Sequence, residues 1–268
     1  GKALKSHISS LQQSRKLGDI GAQVELAKLI LQRRGIVFDG PQAAGLLEDA
    51  HKAGDADAAY ELSLVYLKQP EPNIIIIFKL LQDAVDKQHV GAMKKLAGLL
   101  LDYKKDYQRA AQYLLKATEF GDKEAMFFLA KIYSSVKDQI KPKKAFYWMN
   151  MAAEKGHVAA MREVAVFYYM GYGVNKNIDK ADTFLQHATA RGDIEAWTIV
   201  GKILTSVGKT QAQQLQGFTC LLKAATLGSS GALEKLGQIY MDGKLVEQDN
   251  AKGLDLYRQA ARRGSVRA

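Results

Sequence analysis

A glycine returns along the chain at a nearly constant interval. It stands at Gly18, Gly54, Gly121, Gly156, Gly192, Gly228 and Gly264, and Gln88 fills the one slot without it. Successive marks are 33 to 36 residues apart. Four residues after every mark stands an alanine: Ala22, Ala58, Ala92, Ala125, Ala160, Ala196, Ala232 and Ala268. At the eighth position comes a large apolar residue (Leu26, Leu62, Leu96, Leu129, Val164, Val200, Leu236), and a small one follows it. A chain of equal units this short folds as stacked supersecondary elements, because no single unit can bury its own apolar face.

The spacing of four, eight, nine and twelve places these residues on one side of a helix, here called helix A. The second half of each unit reads as helix B, clearest in Ala145–Ala153 and Lys180–Phe184. Helix B ends at the marker glycine, where a left-handed residue closes a helix. Asp or His follows the marker at Asp19, Asp55, His89, Asp122, His157 and Asp193, in position to cap the next helix A. The expected organisation is a cap or degenerate helix over 1–17, then seven repeats over 18–263. The repeats start near 18, 54, 88, 121, 156, 192 and 228, and 264–268 opens a truncated eighth.

Composition sets the outer limits. Apolar residues make up 47% and charged residues 25% of 268 positions, which is globular. The apolar run at Ile74–Phe78 is far short of the ~20 residues that cross a bilayer. Gly1–Ser10 shows no secretory leader pattern, which leaves the compartment open. One cysteine, Cys220, excludes an intrachain disulfide and a multi-cysteine zinc site.

The fifth unit is the most diagnostic. It reads Ala160, Val164-Ala165, Tyr168, Gly171, Gly173-Val174, then Lys180-Ala181, Phe184, Ala188 and Gly192. The seventh repeats it with Ala232, Leu236-Gly237, Tyr240, Gly243, Ala251, Ala260-Ala261 and Gly264. This pattern resembles the Sel1-like repeat, a relative of the tetratricopeptide repeat. The resemblance implies an all-α, right-handed α/α superhelical solenoid that serves as a protein-interaction adaptor. Such members are often found in bacterial envelope, secretion or signalling assemblies, and some support export of alginate-type exopolysaccharide. That favours a bacterial envelope over the cytoplasm, and it implies no cofactor. Three units depart from the pattern: Gln69–Asn73 replaces the glycine loop, Asp102–Asp106 shortens it, and Ser206–Gln216 reads as a loop without Gly-x-Gly.

No catalytic set is evident. Gly208-Lys209-Thr210 imitates the end of a phosphate-binding loop, but Ile203 stands where that motif needs glycine. The five histidines have no close metal-ligand spacing, and His89 and His157 occupy capping slots. Cys220 aligns with Phe184 in helix B and reads as a buried, inert thiol. Asp182 and Glu195 read as solvated helix-face carboxylates, unpaired as acid and base. Ile74–Ile77 is either a buried start of helix B or a partner-facing strand segment.

The formal charge is +10, with basic clusters at Arg33-Arg34, Lys94-Lys95, Lys104-Lys105, Lys141–Lys144 and Arg258–Arg267. No RNA-binding aromatic motif or DNA-reading helix accompanies them, so no specific nucleic acid is expected. In related solenoids helix A lines a concave groove. The stripe beside its core face, at positions six, ten and thirteen, holds Tyr60, Leu64, Lys94, Phe127, Lys131, Arg162, Tyr169 and Lys202. Aromatic anchors flanked by cations suit an acidic–hydrophobic protein segment. The expected function is a non-enzymatic adaptor that binds another protein in that groove. The alternative is a module for an acidic polysaccharide or other polyanion.

Overall fold

A computed structural model describes residues 2–32, 40–193 and 195–264. Arg33-Arg34, Ala268 and the other residues of 265–268 lie outside that set. Among the described residues there are fifteen α-helices and no strand. α1 (Lys2–Lys16) precedes helix pairs in which an A helix is followed by its B helix. They are α2 (Ile20–Leu31) with α3 (Gly40–Lys52), α4 (Ala56–Leu67) with α5 (Ile74–Asp86), and α6 (Val90–Leu99) with α7 (Tyr107–Glu119). Then come α8 (Lys123–Ser135) with α9 (Pro142–Glu154) and α10 (Val158–Met170) with α11 (Ile178–Ala190). The last are α12 (Ala196–Val207) with α13 (Gln211–Thr226) and α14 (Ser230–Asp242) with α15 (Asn250–Arg262). The chain divides into two units, Gly1–Asp122 and Lys123–Ala268, and the division falls directly after a marker pair, so hairpins stay whole.

The marker works through its backbone. All eight marker positions have positive φ, from 75° to 96° for the glycines and 63° for Gln88. The left-handed residue turns the chain so that helix B's last carbonyls are used. Gly156 N–H donates to Ala153 O at 2.9 Å and His157 N–H to Ala152 O at 3.0 Å. The next residue then caps helix A. The amide of the alanine four residues after the marker donates to Asp19, Asp55, His89 Nδ1, His157 Nδ1 or Ser229, at 2.7–3.2 Å. Those alanines are buried, as are the large apolar residues four positions on. The first unit's core runs from Ile8 to Leu80 along this register, and the second unit's from Met126 to Ile239.

The departing loops have local explanations. Leu100–Lys104 winds as a π-helical turn that stops at Lys105 with φ 52°, replacing a glycine loop. Asn73 caps α5, so the run Ile74–Ile77 is helical; Ile77 is buried and Ile75 is exposed. The segment Ser206–Gln216, read as a loop without Gly-x-Gly, holds only a short connection, 208–210, between α12 and α13. A capping box drives this: Gln213 N–H donates to Thr210 Oγ1 at 3.2 Å and Gln213 Oε1 accepts from Thr210 N–H at 3.3 Å. The phosphate-loop lookalike Gly208–Thr210 is therefore the entry of α13.

Candidate interaction surface

The sixth residue after each marker meets the capping residue of the following repeat, and the two match in chemistry. Where the cap is histidine, the sixth residue is aromatic. Tyr60 packs against His89 with ring centres 4.5 Å apart and planes tilted by 30°, and Phe127 stacks on His157 at 4.4 Å. Where that place holds aspartate, the sixth residue is a cation. Lys94 reaches Asp122 at 2.9 Å, and Arg162 is paired with Asp193. Where the cap is serine, it is a threonine: Thr198 Oγ1 donates to Ser229 Oγ at 2.8 Å, and Ser229 donates on to Glu195. Val24, whose counterpart place in the next repeat holds Asp55, departs from this rule among the described pairs; there Lys28 reaches Asp57 at 3.1 Å instead.

The tenth position continues the pattern. Lys131 lies 3.2 Å from Glu163, the seventh residue of the next repeat, and Lys28 lies 3.9 Å from the equivalent Glu61. The alternation of rings and cations on helix A thus has an internal cause. Each side chain is matched to a neighbour across the repeat boundary. Such pairs fix the register of stacking, while exposed ion pairs add only about 0–1 kcal/mol each.

The sequence-derived surface residues divide accordingly. Tyr60, Leu64, Lys94, Phe127, Lys131 and Arg162 are half-buried on helix A, and Lys202 is exposed. Tyr60, Lys94, Phe127, Lys131 and Arg162 are all engaged within the chain. Tyr169 is a correction: it is 2% exposed and belongs to the core. Position thirteen stands only about 40° round the helix from the closest-packed ninth position, whereas the tenth stands about 100° away. Its hydroxyl donates to Asp182 and lies 3.5 Å from Cys220 Sγ, and burial pushes the phenol far above its ordinary pKa.

That buried cluster has no free reactive group. Asp182, expected to be solvated, accepts from Tyr169 and from Lys223 Nζ at 2.6 Å. Lys223 in turn lies 4.3 Å over the Trp197 ring. Burial pushes the Cys220 thiol up to about 11, so it is protonated at neutral pH. Glu195 is exposed, as expected of a helix-face carboxylate, and accepts from Ser229. Among the described residues no group of three or more His, Cys, Asp or Glu could hold a metal ion.

Phe128 lies beside the stripe at positions six, ten and thirteen and is not part of it. It is 45% exposed and meets Phe127 edge-on at 5.5 Å. Its position, seventh after the marker, carries Glu25, Glu61, Lys95, Glu163 and Lys235 in other repeats, so a ring there departs from the prevailing charge. That departure was the available signal.

Comparison with known proteins accords with this architecture. The Sel1 repeat family model matches residues 92–122, 123–157, 158–193 and 230–265. Protein SHC1 of Saccharomyces cerevisiae is 30% identical over 161 residues, which span 56% of this chain and 31% of that protein. Chitin synthase regulatory factor 2 of Schizosaccharomyces pombe is 28% identical over 156 residues, spanning 54% of this chain and 30% of that protein. The chain thus spans about a third of the length of these relatives. A crystal structure of a Sel1 repeat protein from Oxalobacter formigenes shares the fold, with a TM-score of 0.62 at 23% identity over 99% of this chain and 78% of that one. By the matched repeats and by the marker, cap and core register that its helices follow, the chain belongs to the Sel1 repeat family.

Proposed function

We propose that the chain is a non-enzymatic adaptor that holds another protein against the helix-A face of its second unit. Sel1 repeat proteins are generally protein-interaction scaffolds. The observation that carries the reading is the pair Phe127–Phe128. His157 holds Phe127 flat, and Phe127 supports the edge of Phe128, which remains 45% exposed. A ring already fixed in place loses little entropy when a partner covers it. Glu163 and Ile199 follow at the equivalent position of the next two repeats, giving a mixed apolar and polar track.

The internal pairing of Lys131 and Arg162 weighs against a polyanion on this face. A cation already matched to a carboxylate gains less from a second anion. The fission-yeast relative bears the name of a regulatory factor, which accords with a role in binding.

The test is capture of partners from a cell extract by the 268-residue chain, at about 0.15 M and about 0.5 M salt. Binding should survive the higher salt and be lost in Phe128→Ala, with an unchanged melting temperature. If captured proteins are indifferent to Phe128→Ala while alginate binds and is released by salt, the polysaccharide reading replaces this one.

A further inference from the structure

The paired cations of helix A raise the question of where the net charge of +10 is presented. The A-to-B connections of the second unit supply an answer. Three of them, 136–144, 171–180 and 207–210, carry Lys137, Lys141, Lys143, Lys144, Lys176, Lys180 and Lys209 against the carboxylates Asp138 and Asp179, whereas the fourth, 243–249, balances Lys244 with Glu247 and Asp249. Among the described residues none of these lysines has a carboxylate within salt-bridge reach.

The three basic connections lie side by side. A side chain at Gly173 would collide with the Pro142 carbonyl, and Tyr172 Oη donates to Ser134 O at 3.2 Å. On the next repeat Gln213, at the start of α13, donates to Tyr169 O at 3.2 Å. They therefore form one edge of the unit.

Two features make that edge more than solvated charge. First, lysines are held over rings. Lys144 lies 6.0 Å from the centre of Tyr133 and Lys180 5.8 Å from Tyr168, at equivalent places in successive repeats. A ring face restrains an ammonium without neutralising it. Second, each connection exposes one aliphatic side chain beside a lysine: Ile140 at 50%, Ile178 at 49% and Val207 at 58%.

We propose that this edge binds a protein segment in which Asp or Glu alternates with aliphatic residues. The unpaired lysines supply charge complementarity, and the exposed aliphatics supply the apolar contacts that a purely charged ligand would leave unused. The surface is separate from the Phe128 face and stands whether or not that face binds. Ring-restrained lysines at repeat spacing suit a chain of fixed spacing better than the fluid charges of an anionic bilayer.

The probe is a displayed library of random dodecapeptides selected on the 268-residue chain. Enriched peptides should combine Asp or Glu with Ile, Leu or Val. A synthetic copy should bind Lys144→Glu/Lys180→Glu and Ile178→Ser about tenfold more weakly or worse, and Phe128→Ala within about twofold of the parent. Melting curves check that the variants are folded. Lys144→Gln/Lys180→Gln, which keeps the stem over the ring, replaces the reversal if that does not fold. Three results overturn the proposal: enrichment of peptides without acidic residues, affinity indifferent to the edge substitutions, or no enriched peptide while phosphatidylserine vesicles bind through these same lysines.

Discussion

Phe127 and His157 stack with ring centres 4.4 Å apart and planes 15° from parallel, while His157 Nδ1 accepts the Ala160 amide at 3.2 Å. One imidazole thus starts α10 and ties it to α8. Histidine is a poorer cap than aspartate in isolation. The stack offsets that deficit, and two repeats on the same principle (Tyr60 with His89) indicate that ring and cap are one device.

The first prediction follows from that device. Phe127→Arg alone should lower the melting temperature, because it removes the stack and sets a cation against an unsuited cap. The loss should be roughly 1–2 kcal/mol. Adding His157→Asp recreates the Arg162–Asp193 arrangement and should restore stability to within about 0.5 kcal/mol. A double variant no more stable than Phe127→Arg would show that position six and the cap are independent.

Acid should loosen the same junction. Burial holds His157 below the ordinary histidine value, with Lys123 and Arg162 adding to this and Glu124 opposing it. The unfolded chain therefore binds the proton more readily than the folded one. Stability is full above the unfolded value of about 6.5 and is lost as pH falls through the lower folded value. A protonated Nδ1 also cannot accept the Ala160 amide. The parent should lose more melting temperature between about pH 7.5 and 5.5 than His157→Asn, which caps without titrating. Equal losses in the two proteins would remove His157 from the explanation.

Gln88 is the marker that is not glycine. It sits at φ 63° and is exposed. A side chain in the left-handed region costs roughly 1 kcal/mol relative to glycine. Gln88→Gly should therefore raise stability by about that amount, measured by urea denaturation. A loss would mean that the Gln88 side chain stabilises the α5–α6 turn in a way its exposure does not suggest.

Periodicity made the fold readable because repeats replicate one solution. The marker's left-handed turn, the buried alanine and the cap each followed from spacing. Tyr169 was misplaced because position thirteen is half-buried in the other A helices, Leu31 and Leu67 among them, and is buried on α10, where the hydroxyl meets Asp182 and Cys220. The Ser206–Gln216 loop was misread although Thr210-x-x-Gln213 is a capping box visible in the sequence. The surface was legible as a list of residues but not as a set of partnerships. Lys94 and Asp122 are 28 residues apart, and nothing at either position alone says that they meet. Only the pairing of position six with the next repeat's cap makes the alternation of rings and cations intelligible, and that relation crosses the repeat boundary.

The last prediction contrasts two glycines in B helices. Gly217 in α13 faces Gly201 in α12, where a Cβ would lie 2.7 Å from Thr205 N and 2.9 Å from Gly201 O. Both neighbours are backbone and cannot swing aside, so the two helices would have to separate. Gly217→Ala should cost about 1–3 kcal/mol, as overpacking does. Gly45 in α3 is exposed and a Cβ there would meet nothing within 4 Å. Gly45→Ala should instead stabilise by about 0.5–1 kcal/mol, through helix propensity alone. Opposite signs for one chemical change would separate close helix approach from backbone preference. A Gly217→Ala protein as stable as the parent would mean that α12 and α13 do not pack at this distance.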